Sequence, residues 1–181
     1  MNISHSPSEA RPFRGLSPDV VVAAIEYEGY RCDGRVLALG SYENRVYQVG
    51  IEGMAPIVAK FYRPGRWSDA AILEEHAFAT QLSQAEVPVV PPLRIEGRTL
   101  FRYQEFRFGL YPRCGGRWPE LATAEDRERM GRLLGRLHAV GAADVFRHRP
   151  KMSIESLGGE SARFLLGSGF VPDYLRARFG Q

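Results

Sequence analysis

Apolar positions along this chain follow two rhythms, and each rhythm predicts its own element. Val20, Val21, Ala24 and Ile25 recur at helical spacing after Ser17-Pro18-Asp19, where a capping hydroxyl, a proline at the first turn and an acid near the positive helix end mark a start. Gly29 marks the stop. Three short strand-like runs follow, Arg35 to Leu39, Arg45 to Val49 and Pro56 to Tyr62, with Gly50-Ile51-Glu52-Gly53 as the hairpin between the second and third. Beyond Pro64-Gly65 the rhythm turns helical again from Ser68 to Ala85, with an apolar stripe of Ile72, Phe78, Ala79 and Leu82. Val87 to Ile95 reads as extended, and its prolines at 88, 91 and 92 favour a sheet edge. Thr99 to Tyr103 and Glu105 to Tyr111 read as a second hairpin. Pro112 to Leu121, with Gly115-Gly116, suits a linker. Thr123-Ala124-Glu125-Asp126 resembles a capping box and opens a helix carrying Met130, Leu133, Leu134, Leu137 and Val140. Weaker helical pieces follow at Ser161–Leu166 and Asp173–Phe179. The layout predicts an α+β fold: a five-stranded antiparallel sheet with one crossing helix, then the start of a helical region.

Composition narrows the function classes without choosing one. An apolar share of 44% with 25% charged residues is that of an ordinary globular chain, and 181 residues can bury a core. The net charge of +3 is mild and carried by arginine, which is weak support for nucleic-acid binding, where a concentrated basic face is expected. Cys32 and Cys114 form no metal-binding spacing and read as two reduced cytosolic thiols. No apolar run is long enough to span a membrane, and the polar stretch from Met1 to Arg14 reads as a flexible leader of a cytoplasmic protein.

The candidate chemistry starts from a scarcity. Only two lysines, Lys60 and Lys151, occur among 24 Lys and Arg. Lys60 sits inside the apolar run Ile57-Val58-Ala59-Lys60-Phe61-Tyr62. A charge in a half-buried strand calls for an anionic partner, and a compact ammonium suits phosphate as a point charge. The turn Gly40-Ser41-Tyr42-Glu43-Asn44 offers backbone N–H groups and the Ser41 hydroxyl to phosphate oxygens, although taken alone it is a plain hairpin turn and no P-loop. Glu74 and Glu75 lie on the following helix, and Glu75 is favoured as the partner of Lys60 because Phe78 and Ala79 at i+3 and i+4 place it near the apolar edge. Opposite charges about 4 Å apart interact by roughly 4 kcal/mol at an effective dielectric of 20. The end of the second hairpin, Phe108 to Gly116, offers free backbone groups able to read an adenine edge, or serves as a linker. His138, after Leu133, Leu134 and Leu137, reads as a core or semi-buried histidine rather than a catalyst. His148-Arg149-Pro150 is rejected as a catalytic loop because proline stands where an aspartate is needed.

Several longer stretches carry a resemblance. They are Leu39-Gly40-Ser41-Tyr42-Glu43-Asn44-Arg45-Val46-Tyr47-Gln48, Val58-Ala59-Lys60-Phe61-Tyr62-Arg63-Pro64, Arg66-Trp67, Ile72-Leu73-Glu74-Glu75-His76 and Glu86-Val87-Pro88-Val89, continued by Gly115-Gly116-Arg117, Leu134-Gly135-Arg136-Leu137-His138 and His148-Arg149-Pro150. Together they resemble the N-terminal lobe of kinase-like phosphotransferases, the superfamily of aminoglycoside phosphotransferases, choline kinases and homoserine kinases. Within it they are most similar to the stress response kinase A family of cytoplasmic bacterial Ser/Thr protein kinases. The resemblance implies a leader over 1–15, a kinase-like N-lobe over 16–112, a hinge over 113–122 and the first helices of a C-lobe over 123–181. It implies ATP and Mg²⁺ as cofactors and a protein hydroxyl as acceptor. Ser41 would sit in the loop over the phosphates, Lys60 would contact them, Glu75 would orient Lys60, and Pro112, Arg113 and Cys114 would form the adenine hinge. No histidine here precedes Gly-Asp, so the His-Gly-Asp…Asn catalytic loop and the later metal-binding Asp of such kinases have no counterpart, and the expectation is a truncated kinase, inactive alone, with metal ligands in a missing C-lobe. The alternatives are a lobe of a small-molecule kinase of homoserine, choline or aminoglycoside type, and a non-enzymatic interaction module.

Overall fold

The computed structural model describes residues 12–179, which divide into two compact units, one ending at His148 and the other beginning at Arg149. In the first unit, helix α1 spans Pro18–Tyr27, and the Ser17 hydroxyl accepts the Val20 N–H at 3.3 Å as its cap. Val21, Ala24 and Ile25 form its buried stripe. Five strands follow: β1 Cys32–Leu39, β2 Arg45–Ile51, β3 Ile57–Phe61, β4 Phe101–Tyr103 and β5 Phe106–Pro112. They form one sheet in the order β1-β2-β3-β5-β4, with every neighbouring pair antiparallel. Between β3 and β4 runs helix α2, Asp69–Gln84, capped by Ser68, whose hydroxyl accepts the Ala71 N–H at 3.1 Å. Asp69 in its first turn binds Arg107 at 2.6 Å and Arg102 at 3.4 Å, which holds the helix start against β4 and β5.

The core fills the α1 side of the sheet. Ile57, Ala59 and Phe61 of β3 and Phe106, Phe108 and Leu110 of β5 point into it, at alternate positions as the pleat requires. Phe61 stacks on Phe108 with ring centroids 5.1 Å apart, and Phe101 tilts against Phe108 at 5.6 Å. Each fully buried phenylalanine contributes about 1.5–3 kcal/mol, with further gain from the ring pairs. Phe13 and Leu16 pack on this core, and the Arg45 guanidinium lies 4.9 Å from the Phe13 ring centroid. The leader expected over 1–15 otherwise falls largely outside the described residues.

Several expectations need correction. Gly50 and Ile51 belong to β2 rather than to a turn, and Ile51 is part of the core. Gly50 is glycine because a Cβ there would lie 2.1 Å from Asp33 Oδ1, at the irregular register between Cys32 and Val36. Val87 to Ile95 forms no strand. Its three prolines lack the N–H groups a ladder needs, and it meets the sheet through Leu93, whose N–H donates to the Leu110 carbonyl at 2.7 Å, and through one bridge between Ile95 and Arg98. On α2, Ile72 and Leu82 are buried as expected, but Phe78 and Ala79 are only half-buried, and His76 takes the remaining inward place.

Helix α3 spans Ala124–Gly141 behind a true capping box, with Asp126 N–H donating to Thr123 Oγ1 at 3.1 Å and Thr123 N–H to Asp126 Oδ2 at 3.2 Å. Its stripe of Met130, Leu133, Leu137 and Val140 is half-buried and Leu134 is exposed. His138, expected in or near a core, is exposed. Arg136 ties α3 to α2 by donating to the Glu86 carbonyl at 2.8 Å, just past the α2 C-terminus, and Phe146 meets Phe78 edge-on at 5.2 Å. Residues 113–122 carry no regular element. In the second unit a π-helical turn, Glu155–Gly159, runs into α4, Glu160–Gly167, and is followed by α5, Asp173–Phe179. The π turn was not expected; just before it the Ser153 hydroxyl accepts the Ser156 N–H at 3.0 Å.

Candidate functional site

On β3 the residues between the core positions face the other way. Val58 and Lys60 share that face, and Tyr62 continues it just beyond the strand. Lys60 Nζ donates to Glu75 Oε1 of α2 at 2.7 Å, with the two side chains 24% and 34% exposed. The ammonium also lies 4.9 Å from the Tyr62 ring centroid. A pair this wet contributes at most about 1 kcal/mol to stability, below the 4 kcal/mol of a bare Coulomb estimate. Its effect is to aim the ammonium.

Glu74 has a different task. Its carboxylate accepts the backbone N–H groups of Arg147 at 2.6 Å and His148 at 3.0 Å, tying α2 to the segment after α3. Successive helical residues point about 100° apart, so only one of the two glutamates can meet β3.

The register places Leu39, Val46, Lys60 and Gly109 in one row across β1, β2, β3 and β5. The turn 40–44 follows directly on Leu39 and so stands at the end of the sheet next to the Lys60 row. Side chains fix its shape. Ser41 Oγ donates to the Asn44 carbonyl at 2.9 Å, Asn44 Oδ1 accepts the Arg63 N–H at 3.2 Å, and Glu43 accepts the Trp67 indole N–H at 2.8 Å. The Ser41 hydroxyl thus holds the turn, which leaves the backbone as the turn's means of meeting an anion.

A cavity of about 400 Å³ opens beside the ion pair. Lys60 and Glu75 form its polar side, Val46, Val58 and Ala79 its apolar wall, and Pro112 and Cys114 its far rim. Of the residues singled out in the sequence, the structure brings Lys60, Glu75, Pro112 and Cys114 to this one cavity. Ser41 and Arg113 are exposed and do not line it. An aliphatic slot ending in a loop with open backbone, with a held cation at one side, fits a flat heteroaromatic ring joined to an anion. Among the described residues no group of three or more His, Cys, Asp or Glu is placed to hold a metal ion. No helix among them is long and apolar enough to cross a membrane. Cys32 and Cys114 are both free, and burial, helped by Glu26 and Asp33, pushes the Cys32 thiol up to about 11.

Sequence reasoning missed the polar hub beside this pair. His76 is 2% exposed. Its Nε2 lies 2.6 Å from the Tyr62 hydroxyl and 3.2 Å from the Tyr111 hydroxyl, the two hydroxyls are 2.9 Å apart, and its Nδ1 lies 2.9 Å from Thr99 Oγ1. Burial, aided by the Lys60 charge and opposed by Glu75, lowers the His76 pKa to about 4, so the ring is neutral at pH 7. Burial raises Tyr111 to about 12. The available signal was spacing: His76 falls four residues after Ile72, on the buried stripe of α2.

Comparison with known proteins speaks to the family and the fold. The chain is 40% identical over 172 residues to stress response kinase A of Escherichia coli strain K12, covering 95% of this chain and 52% of that protein. It is 38% identical over 167 residues to the serine/threonine protein kinase RdoA of Salmonella typhimurium, covering 92% of this chain and 51% of that one. The chain thus spans about half the length of these relatives. Among solved structures, the amicoumacin kinase hAmiN, in complex with AMP-PNP, Ca²⁺ and Ami, matches with a TM-score of 0.62 at 21% identity, over 89% of this chain and 53% of that one. A microcompartment-associated aminopropanol kinase matches with a TM-score of 0.61 at 20% identity, over 81% of this chain and 49% of that one. These two show a shared fold. The profile of the phosphotransferase enzyme family matches residues 34–167, from β1 through α4, and the chain therefore belongs to the phosphotransferase enzyme family.

Proposed function

We propose that this chain is the ATP-binding portion of a kinase that transfers the ATP γ-phosphoryl group to a serine or threonine hydroxyl of a protein, in a stress-response setting. The observation that carries the reading is the Lys60–Glu75 pair, 2.7 Å apart, on the wall of a cavity that reaches the segment after β5. The names of the relatives in Escherichia coli and Salmonella support the protein acceptor and the stress setting. In this reading Lys60 holds the phosphates, Glu75 aims Lys60, the backbone of the Ser41 turn covers the phosphates, and Pro112, Arg113 and Cys114 receive the adenine through main-chain groups. These residues bind and orient the nucleotide, which is where phosphoryl transfer draws much of its rate. Mg²⁺ bound with the nucleotide would neutralise phosphate charge, and its ligands are assigned to none of the residues described here. The domain reading keeps 16–112 as the N-lobe, 113–122 as the hinge and 123–181 as the first C-lobe helices, and a cytoplasmic location comes with the family resemblance.

Isothermal calorimetry with magnesium ATP tests the nucleotide role. The account expects Lys60→Ala to lose at least tenfold in affinity and Lys60→Arg to be weakened as well, since a planar guanidinium does not replace a compact ammonium at phosphate. Equal affinity in Lys60→Ala and the parent would sink the assignment.

A second reading, a small-molecule acceptor, is favoured by the fold neighbours, whose names are those of amicoumacin and aminopropanol kinases. A chimera joining this chain to the second half of the Escherichia coli relative, given labelled ATP with either protein or small hydroxyl compounds, separates the two readings by which acceptor takes the label.

A further inference from the structure

The nucleotide reading leaves one buried polar group unused. His76 follows Glu75 directly on α2, so the direction of one side chain fixes that of the other. The partners of His76 come from three other places: Tyr62 beyond β3, Tyr111 on β5 and Thr99 before β4. Few apolar side chains anchor α2 besides this group; its other buried residues are Ala71, Ile72 and Leu82. A partly solvated ion pair is too weak to hold the rotation of a helix unaided. A buried, fully bonded network is strong and directional.

Two further contacts bind the network to the ion pair. Tyr62 carries the Lys60 ammonium over its ring, at 4.9 Å from the centroid, while its hydroxyl meets His76 at 2.6 Å. Gly109, which pairs with Lys60 across β3 and β5, lies under the Tyr111 and His76 rings. A Cβ on Gly109 would stand 3.2 Å from Tyr111 Cε2 and 3.4 Å from His76 Cε1, so the absent side chain is what lets the rings close on the strand.

We propose that His76 is a positioning residue that, bonded to Tyr62, Tyr111 and Thr99, fixes the rotation of α2 that brings Glu75 to Lys60 and couples this pair to the strand entering the Pro112–Cys114 segment. The proposal rests on the reading of the cavity as a nucleotide site, and it adds a residue that touches the pair's supports rather than the ligand. It predicts that the pair and the hinge respond together when the imidazole is removed.

The test measures magnesium ATP affinity by calorimetry for the 181-residue chain carrying His76→Leu, His76→Gln and Tyr62→Phe, each alone and with Lys60→Ala. His76→Leu should weaken binding about tenfold, the equivalent of about one net hydrogen bond passed on to the nucleotide. His76→Gln, whose amide reaches the Nε2 position, should recover most of that loss. Tyr62→Phe removes a single hydroxyl, keeps the core shape and should weaken binding about threefold, so it serves if His76→Leu does not fold. In the Lys60→Ala background both effects should shrink severalfold, because His76 acts chiefly through Lys60, leaving only what passes along the strand to the Pro112–Cys114 segment. Wild-type affinity in folded His76→Leu, or an equal loss with and without Lys60, would overturn the proposal; the latter marks a role in stability alone. The carboxyl ¹³C signal of Glu75 keeps this separate from the nucleotide reading. It should move toward the value of a solvated glutamate in His76→Leu or Tyr62→Phe even if no nucleotide binds, and an unmoved signal would overturn the proposal independently.

Discussion

The two faces of the sheet are built from the same strands by opposite rules. On the α1 side, Ile57, Ala59, Phe61, Phe106, Phe108 and Leu110 close a dry apolar core. On the other side, the residues between them include Lys60, Gly109 and Tyr111, held by an ion pair and a hydroxyl–imidazole network. The first face draws stability from area removed from water, which is insensitive to direction. The second draws direction from hydrogen bonds, each worth only about 1 kcal/mol net because it replaces one with water, though the buried network as a whole is strong. Strand pleating lets one sequence serve both, and a change on either face should therefore register in a different observable.

The largest effect is expected on the apolar face. Phe108→Ala removes the ring that stacks on Phe61 and should cost about 3–5 kcal/mol of stability in a denaturant titration. A loss under about 1 kcal/mol would mean that the two faces are not divided as described.

Next comes pH, which acts through the other face. His76 is neutral in the fold down to about 4 against an ordinary value of 6.5, so between those values the unfolded chain binds the extra proton. The stability from the neutral ring is intact above 6.5 and drains away as pH falls toward 4. Wild type should lose about 2–4 kcal/mol relative to His76→Gln across that window. Parallel stability curves for the two proteins would contradict the burial of a neutral imidazole among Tyr62, Tyr111 and Thr99, beside Lys60 and Glu75.

A smaller change sharpens the comparison within α2. Glu74→Ala removes the acceptor for the Arg147 and His148 N–H groups and should cost about 1.5–3 kcal/mol and speed amide exchange at those two residues. Nucleotide affinity should stay within about threefold, in contrast with Glu75→Ala. Equal affinity losses at both positions would erase the division of labour between the adjacent glutamates.

What the sequence made legible was what chemistry within a few residues decides. Ser17-Pro18, Ser68 and the Thr123–Asp126 box announce their helices because each cap binds an N–H only three residues away. The preference for Glu75 over Glu74 was legible only in part: Ala79, four residues after Glu75, shares its cavity, whereas Phe78, four residues after Glu74, lies on the side of Glu74. Gly50 was misread as a turn residue because its cause, the approach of Asp33, comes from the neighbouring strand. The proline-rich stretch after α2 looked like an edge strand and is none: its missing N–H groups deny it a place in the ladder, and Val89 turns back to bond the Val87 carbonyl at 2.8 Å. His76 escaped notice because its partners lie far apart in sequence, Tyr62 just after β3, Thr99 just before β4 and Tyr111 on β5, and only the fold assembles them. The exposed His138 shows the converse error, where a leucine-rich flank on α3 suggested burial that the described residues do not supply.

The central claim is that Lys60, aimed by Glu75, serves an anionic nucleotide rather than the stability of the sheet. Titrating magnesium ATP into wild type and Lys60→Ala, with thermal unfolding of both samples, tests it most directly. The account predicts at least a tenfold loss of affinity with a midpoint shift of only a few degrees, in keeping with about 1 kcal/mol or less for a partly solvated pair. Unchanged affinity, or a large fall in stability without a change in binding, would contradict it.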